Sequence, residues 1–155
     1  QDIITIILLT LLPFLELRAS IPWGIASGMN PFFVFVVAVL CNIVLAPILY
    51  WFLDTFLHIL CRIKLINDYY HKKIEKLQKK IHKKVEKYGE WALALFIGIP
   101  LPGSGVYSGA LIAYALGMSK KKFYIAAVLG VLIAAILVTI ASFIGTGIFQ
   151  LFINN

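Results

Sequence analysis

Between Leu12 and Met29 the chain reads LPFLELRASIPWGIASGM, and in that otherwise apolar run a carboxylate, Glu16, stands just ahead of a guanidinium, Arg18. Neither is cheap to bury: an ionised side chain at mid-bilayer costs roughly 2.5 to 3.5 kcal/mol even on the gentler insertion scales. The same run holds Pro13, Pro22, Gly24 and Gly28, and a proline inside a helix removes a backbone donor and clashes with the preceding turn. Such a segment survives inside protein or beside water, where broken backbone at membrane depth is tolerated. Intramembrane ionisable groups are by default functional candidates. In a partly dry cavity the neutral form of Glu16 is favoured while Arg18 opposes it, so this carboxyl could exchange a proton against a cationic substrate. Arg18 alternatively could hold a phosphate in the bidentate mode suited to guanidinium. The competing expectation is structural, with Glu16 and Arg18 satisfying each other or capping backbone.

Neutral hydrogen bonds could come from Ser20, Ser104, Tyr107 and Ser108, while Pro22, Gly24, Pro102 and Gly103 break and shape the backbone. With Glu16 and Arg18 these make up the candidate substrate-binding or ion-binding set. No histidine or cysteine lies near the pair in sequence, and no His-Glu-x-x-His motif occurs. An enzyme, a metal centre and a cofactor are therefore not expected.

The elements that must position these residues recur. A shift of about 89 positions lays Leu12, Pro13, Ala26, Gly28, Met29 and Ala46 on Leu101, Pro102, Ala115, Gly117, Met118 and Ala135. The charged pair is not repeated, because Glu16 falls on Gly105 and Arg18 on Tyr107. The chain reads as a duplicated unit that kept its ionisable groups in one half.

Composition sets the solvent. With 61% hydrophobic residues and a mean hydropathy of +0.94, the chain is an integral membrane protein. Ile3 to Leu12 is half of the roughly 20 residues a helix needs to cross the hydrocarbon core. Pro13 to Ser20 then reads as a turn and Ile21 to Met29 as a second short arm, together a re-entrant hairpin. Phe32 to Leu57 is long enough to span with tilt. Arg62 to Glu90 is a basic helix with an apolar stripe at Tyr70, Ile74, Leu77, Ile81, Val85 and Tyr88, which Gly89 can end. Trp91 to Ile99, a Pro-Gly turn and Val106 to Met118 give a second hairpin, and Phe123 to Ile153 a second span. The expected organisation is one membrane domain: repeat one over 1–58, the amphipathic helix over 59–90 and repeat two over 91–155.

Of the Lys and Arg residues, only Arg18 precedes Arg62 and none follows Lys122. By the positive-inside rule the basic helix and Lys120 to Lys122 are cytoplasmic, and both termini are extracytoplasmic in the cell membrane. The hairpins then enter from opposite sides. The expected fold is all-α: two inverted repeats, each a re-entrant hairpin plus a transmembrane helix, joined by a cytoplasmic amphipathic basic helix, the recurring architecture of secondary transporters. Expected partners are membrane lipids, an anionic leaflet for the Lys72 to Lys87 helix and a second copy of the chain in a homodimer; nucleic acid is not expected.

The run Glu-x-Arg-x-x-Ile-Pro-x-Gly at Glu16 to Gly24, with Pro102-Gly103, Gly117-Met118-Ser119 and Phe123, resembles the small multidrug export family and, more distantly, the DedA (VTT-domain, SNARE-associated) superfamily. The resemblance implies two facing re-entrant hairpins and movement of a small amphiphile or lipid across the membrane, either a lipid-linked phosphate or a cationic drug-like export substrate, coupled to an ion or proton gradient. The alternative is a membrane interaction protein that transports nothing.

Overall fold

A computed structural model describes residues 2–13, 15–60, 87–101 and 103–153. The regular structure in them is helical: α1 (Asp2–Leu11), α2 (Glu16–Ala26), α3 (Pro31–Leu60), α4 (residues 87–98), α5 (Val106–Ala115) and α6 (Lys120–Ile153). Within α3 and α6, Pro31–Phe56 and Lys120–Gly145 are each 26 residues of high hydropathy. At 1.5 Å per residue each is about 39 Å long, enough to cross a hydrocarbon core of about 30 Å. The basic stretch from Arg62 to Glu86, with most of its apolar stripe, lies outside the described residues.

The first break is shorter than the sequence suggests. The turn expected over Pro13 to Ser20 does not extend past residue 15, because the amides of Glu16, Arg18 and Ala19 already find the carbonyls of Leu12 and Leu15 at 3.1–3.3 Å. Glu16, Arg18 and Ser20 are thus helical residues at the start of α2, not turn residues. Pro22 lies inside α2, where its missing N–H frees the Arg18 carbonyl. Gly89 is a second correction: it sits within α4 rather than ending a helix. Leu93, Ala94 and Ile97, all buried, hold that helix against the core, which offsets the roughly 1 kcal/mol a helical glycine costs.

Each short second helix ends in the same way. Gly28 N–H donates to the Ile25 carbonyl and Met29 N–H to that of Gly24; Gly117 N–H donates to Tyr114 and Met118 N–H to Ala113. These are Schellman turns, and Gly28 (φ 77°) and Gly117 (φ 66°) supply the left-handed residue. Asn30 then caps α3, its Oδ1 accepting from Phe32 N–H at 3.0 Å. At the matching end of α6, Tyr50 O–H donates to the Met118 carbonyl at 2.8 Å, and Lys120 pairs with Asp54 at 3.0 Å.

The halves are interleaved: α2 packs on α6, α5 on α3, and α3 on α6. Leu17 and Ile21 of α2, Val34 and Ala38 of α3, Val106 and Ala110 of α5, and Phe123 and Val131 of α6 form the buried core. Small residues at these contacts allow the close approach on which helix association in lipid depends. Phe32, Leu40, Val44, Ile48 and Trp51 on α3, and Ile136, Ile140 and Phe143 on α6, point outward. That apolar exterior suits lipid.

Candidate functional site

The two helix breaks meet, and each takes capping side chains from the other half. Helix ends leave amides and carbonyls without partners, and α5 begins at Gly105 with no side-chain cap of its own. Glu16 supplies it. One carboxylate oxygen accepts from Val106 N–H and the other from Tyr107 N–H, each at 3.3 Å, placing negative charge at the positive end of α5. Glu16 is only 3% exposed and has a φ of +45°, a backbone region that costs a non-glycine residue about 1 to 3 kcal/mol and persists only where surroundings enforce it.

Arg18 does the converse at the carbonyl end of the same break. Its guanidinium donates to the Leu101 carbonyl, weakly to that of Ile99 at 3.4 Å, and to Ser104 Oγ at 2.7 Å. Ser104 directs its own proton at the Ile99 carbonyl, 2.6 Å away. Positive charge thus sits where α4 ends, again complementing the dipole. Among the described residues no salt bridge joins Glu16 to Arg18. Of the two structural expectations, backbone capping is realised and mutual pairing is not.

The reciprocal contact comes from Tyr107, whose O–H donates to the Leu11 carbonyl at the end of α1, 2.6 Å away. Tyr107 is the residue on which the sequence shift lays Arg18, and both reach across to the carbonyl end of the opposite break. The shift also explains why the acid is not duplicated. A Cβ at Gly105, the position matched to Glu16, would lie 2.5–2.8 Å from the Glu16 carboxylate atoms. Two facing positions share one space, so a side chain on one demands a glycine on the other.

The remaining candidates separate. Ser108 Oγ donates to the Gly103 carbonyl at 2.6 Å, inside its own loop. Gly103 adopts φ +87° in open space, a turn residue, and Pro102 lies outside the described residues. Gly24 packs against Val34, where a Cβ would fall 2.7 Å from Cγ1. Ser20 is fully buried with no partner for its hydroxyl. Sequence reasoning missed Gly105 as a site residue and the backbone groups of Leu11, Ile99 and Leu101. For Gly105 a signal existed, since the shift of 89 positions lays it on Glu16; the carbonyls have none.

Beside this seam lies a cavity of about 540 Å³, lined by Arg18, Pro22 and Ala26 of α2, by Pro100, and by Val138, Ala141, Ser142 and Gly145 of α6. Ligand pockets commonly have volumes of about 300 to 1,000 Å³ and mostly apolar walls with a few placed polar groups. Arg18 therefore belongs to both the seam and the cavity, and Pro22 lines the cavity. No group of His, Cys, Asp and Glu among the described residues is placed to hold a metal ion.

Fold and site define a small α-helical membrane protein whose two interrupted helix pairs close on each other through one acid, one arginine and one tyrosine. Residues 16–137 match the model of the family described as "Putative small multi-drug export protein", and the chain belongs to that family. The match begins at Glu16 and takes in the whole seam from there to Tyr107, together with most of α6. Export, not an enzymatic reaction, is what the family's description names. No curated protein and no solved structure matches the chain.

Proposed function

We propose that the protein is an ion-coupled or proton-coupled transporter of the cell membrane, with two inverted repeats whose re-entrant hairpins meet at Glu16, Arg18 and Tyr107. The observation that carries this is the reciprocal capping of the helix breaks beside the 540 Å³ cavity. Broken helices meeting at a repeat interface are where transporters bind their cargo. Arg18 links the two features, since any molecule entering the cavity meets the guanidinium that holds Leu101 and Ser104. Displacing those contacts would loosen the second hairpin, which ties occupancy to a change of shape. The mostly apolar walls fit a small amphiphile. The family description favours a drug-like export substrate, and the resemblance of the Glu16 to Gly24 run to DedA proteins would add lipid-linked phosphates.

Flux through purified protein in liposomes tests this, over organic cations and anionic amphiphiles, with an imposed proton or sodium gradient. Gradient-driven uptake of at least one class is expected, with Arg18→Lys impairing anionic substrates more than cationic ones because the fork geometry is lost while the charge remains. Absence of flux for every compound would favour a membrane interaction protein instead.

A further inference from the structure

Two buried polar groups have no role in the seam as described. Ser20 on α2 and Asn42 on α3 are both 0% exposed, and Ser20 Oγ and Asn42 Oδ1 make no hydrogen bond. Buried polar atoms are nearly always satisfied, so each exception calls for a bound water, an ion or a function.

The helices bring these two atoms to the level of Glu16. A short turn makes α2 and α3 antiparallel neighbours, and their register is fixed where the backbone of Gly24 lies against Val34. Residues four apart share a helix face. Stepping back from Gly24 along α2 gives Ser20 and then Glu16; stepping on from Val34 along α3 gives Ala38 and then Asn42. That register sets Ser20 opposite Ala38 and Glu16 opposite Asn42, and the Asn42 side chain leans back toward Ala38, its Nδ2 donating to that carbonyl at 3.1 Å, so its amide falls between the levels of Glu16 and Ser20. The carboxylate itself is under-compensated. Its two amide bonds are long, at 3.3 Å, and they use two of about four lone-pair positions, while the guanidinium of Arg18 is turned to Leu101, Ile99 and Ser104.

We propose that Glu16, Ser20 and Asn42 form a binding site for a small monovalent cation of the sodium type between α2 and α3. Carboxylate, hydroxyl and amide oxygens are hard donors, and one negative charge suits a monovalent ion, whereas calcium sites gather six to eight oxygens from several acidic groups. A water could bridge Ser20 and Asn42, but it would add no positive charge beside Glu16, whose compensation comes from the two α5 amides and, without a direct bond, from Arg18. The site would hold the coupling ion of the transport reading; that role rests on the reading, while binding itself does not.

Binding is measured without transport. Purified protein in lipid nanodiscs is melted in NaCl, KCl and choline chloride at constant ionic strength. Sodium alone should raise the melting temperature, saturably, by about 5 to 10 °C once it exceeds its dissociation constant a hundredfold. Ser20→Ala and Asn42→Leu should each abolish the sodium response; Ser20→Ala, which removes only a partnerless hydroxyl, should melt no lower than wild type without sodium. Equal shifts in all three salts, or full sodium responses in both variants, would mean that the site holds water only, and would overturn the proposal. A sodium response without flux of any substrate would keep the site and remove the transport reading; sodium-independent flux with no sodium response would do the reverse.

Discussion

Glu16 and Arg18 answer to backbone rather than to each other, and this changes what substitution should do. Glu16→Gln keeps one acceptor but turns an NH2 group toward an amide N–H, so it should cost about 1 to 3 kcal/mol and lower melting temperature and flux together. A Glu16→Gln protein that melts like wild type would show that α5 does not depend on the carboxylate. Gly105 provides the sharper test. At φ +125° with a Cβ 2.5–2.8 Å from the carboxylate atoms, Gly105→Ala combines strain with a clash. Gly103→Ala, at φ +87° with nothing within 4 Å, meets strain alone, about 1 to 2 kcal/mol. Thermal melting should therefore place Gly105→Ala well below Gly103→Ala, and equal losses would mean that the carboxylate moves aside freely. The sequence marked Glu16 and Arg18 by their incongruity in an apolar run. It could not show their partners, because the carbonyls of Leu101 and Leu11 and the amides of Val106 and Tyr107 have no residue signature.

The short helices are separate in sequence and interdependent in space. α1 ends on Tyr107, α5 begins on Glu16 and the break after α4 rests on Arg18, so each break is closed in part by the other half. The two Schellman turns, by contrast, are local and alike. Gly28→Ala and Gly117→Ala should each cost about 1 kcal/mol, as a left-handed residue acquires a side chain, and the double variant should lose the sum because the turns share no bond. Melting of the two single variants and the double variant checks both points; a double variant losing markedly more would mean that the turns are coupled through the seam. The length of the apolar runs made the helices legible, and the paired Gly-Met at Gly28-Met29 and Gly117-Met118 marked where the second arms end. The extent of the first break was not legible, since Pro13 announces a turn while the carbonyls that receive the amides of Glu16 and Arg18 carry no local sequence cue.

For the whole molecule, two spanning helices and several short ones leave the Arg18 cavity with a wall on α2 and α6 and an apolar exterior around it. A second copy would cover it with protein, so we expect a homodimer in nanodiscs, detected by mass measurement; a monodisperse monomer with full flux would rule that out. The sidedness of the chain was legible only as charge. Lysines cluster from Lys64 to Lys87 and again at Lys120 to Lys122, and positive charge marks the cytoplasmic face. Between the clusters lie α4 and α5, and the inverted-repeat proposal has the chain descend through the first and return through the second. The ten residues of α5 measure about 15 Å, half of a hydrocarbon core of about 30 Å, and a proline-rich break precedes them. α5 alone is too short to cross, which fits the proposed return from mid-depth. Single cysteines at positions 79 and 121 should accordingly react with a membrane-impermeant reagent from the same side, and cysteines at positions 2 and 155 from the opposite one. Labelling of 79 and 121 from opposite sides would demand an odd number of crossings between them. The inverted-repeat arrangement would then be lost, even though the contacts among Glu16, Arg18 and Tyr107 would remain.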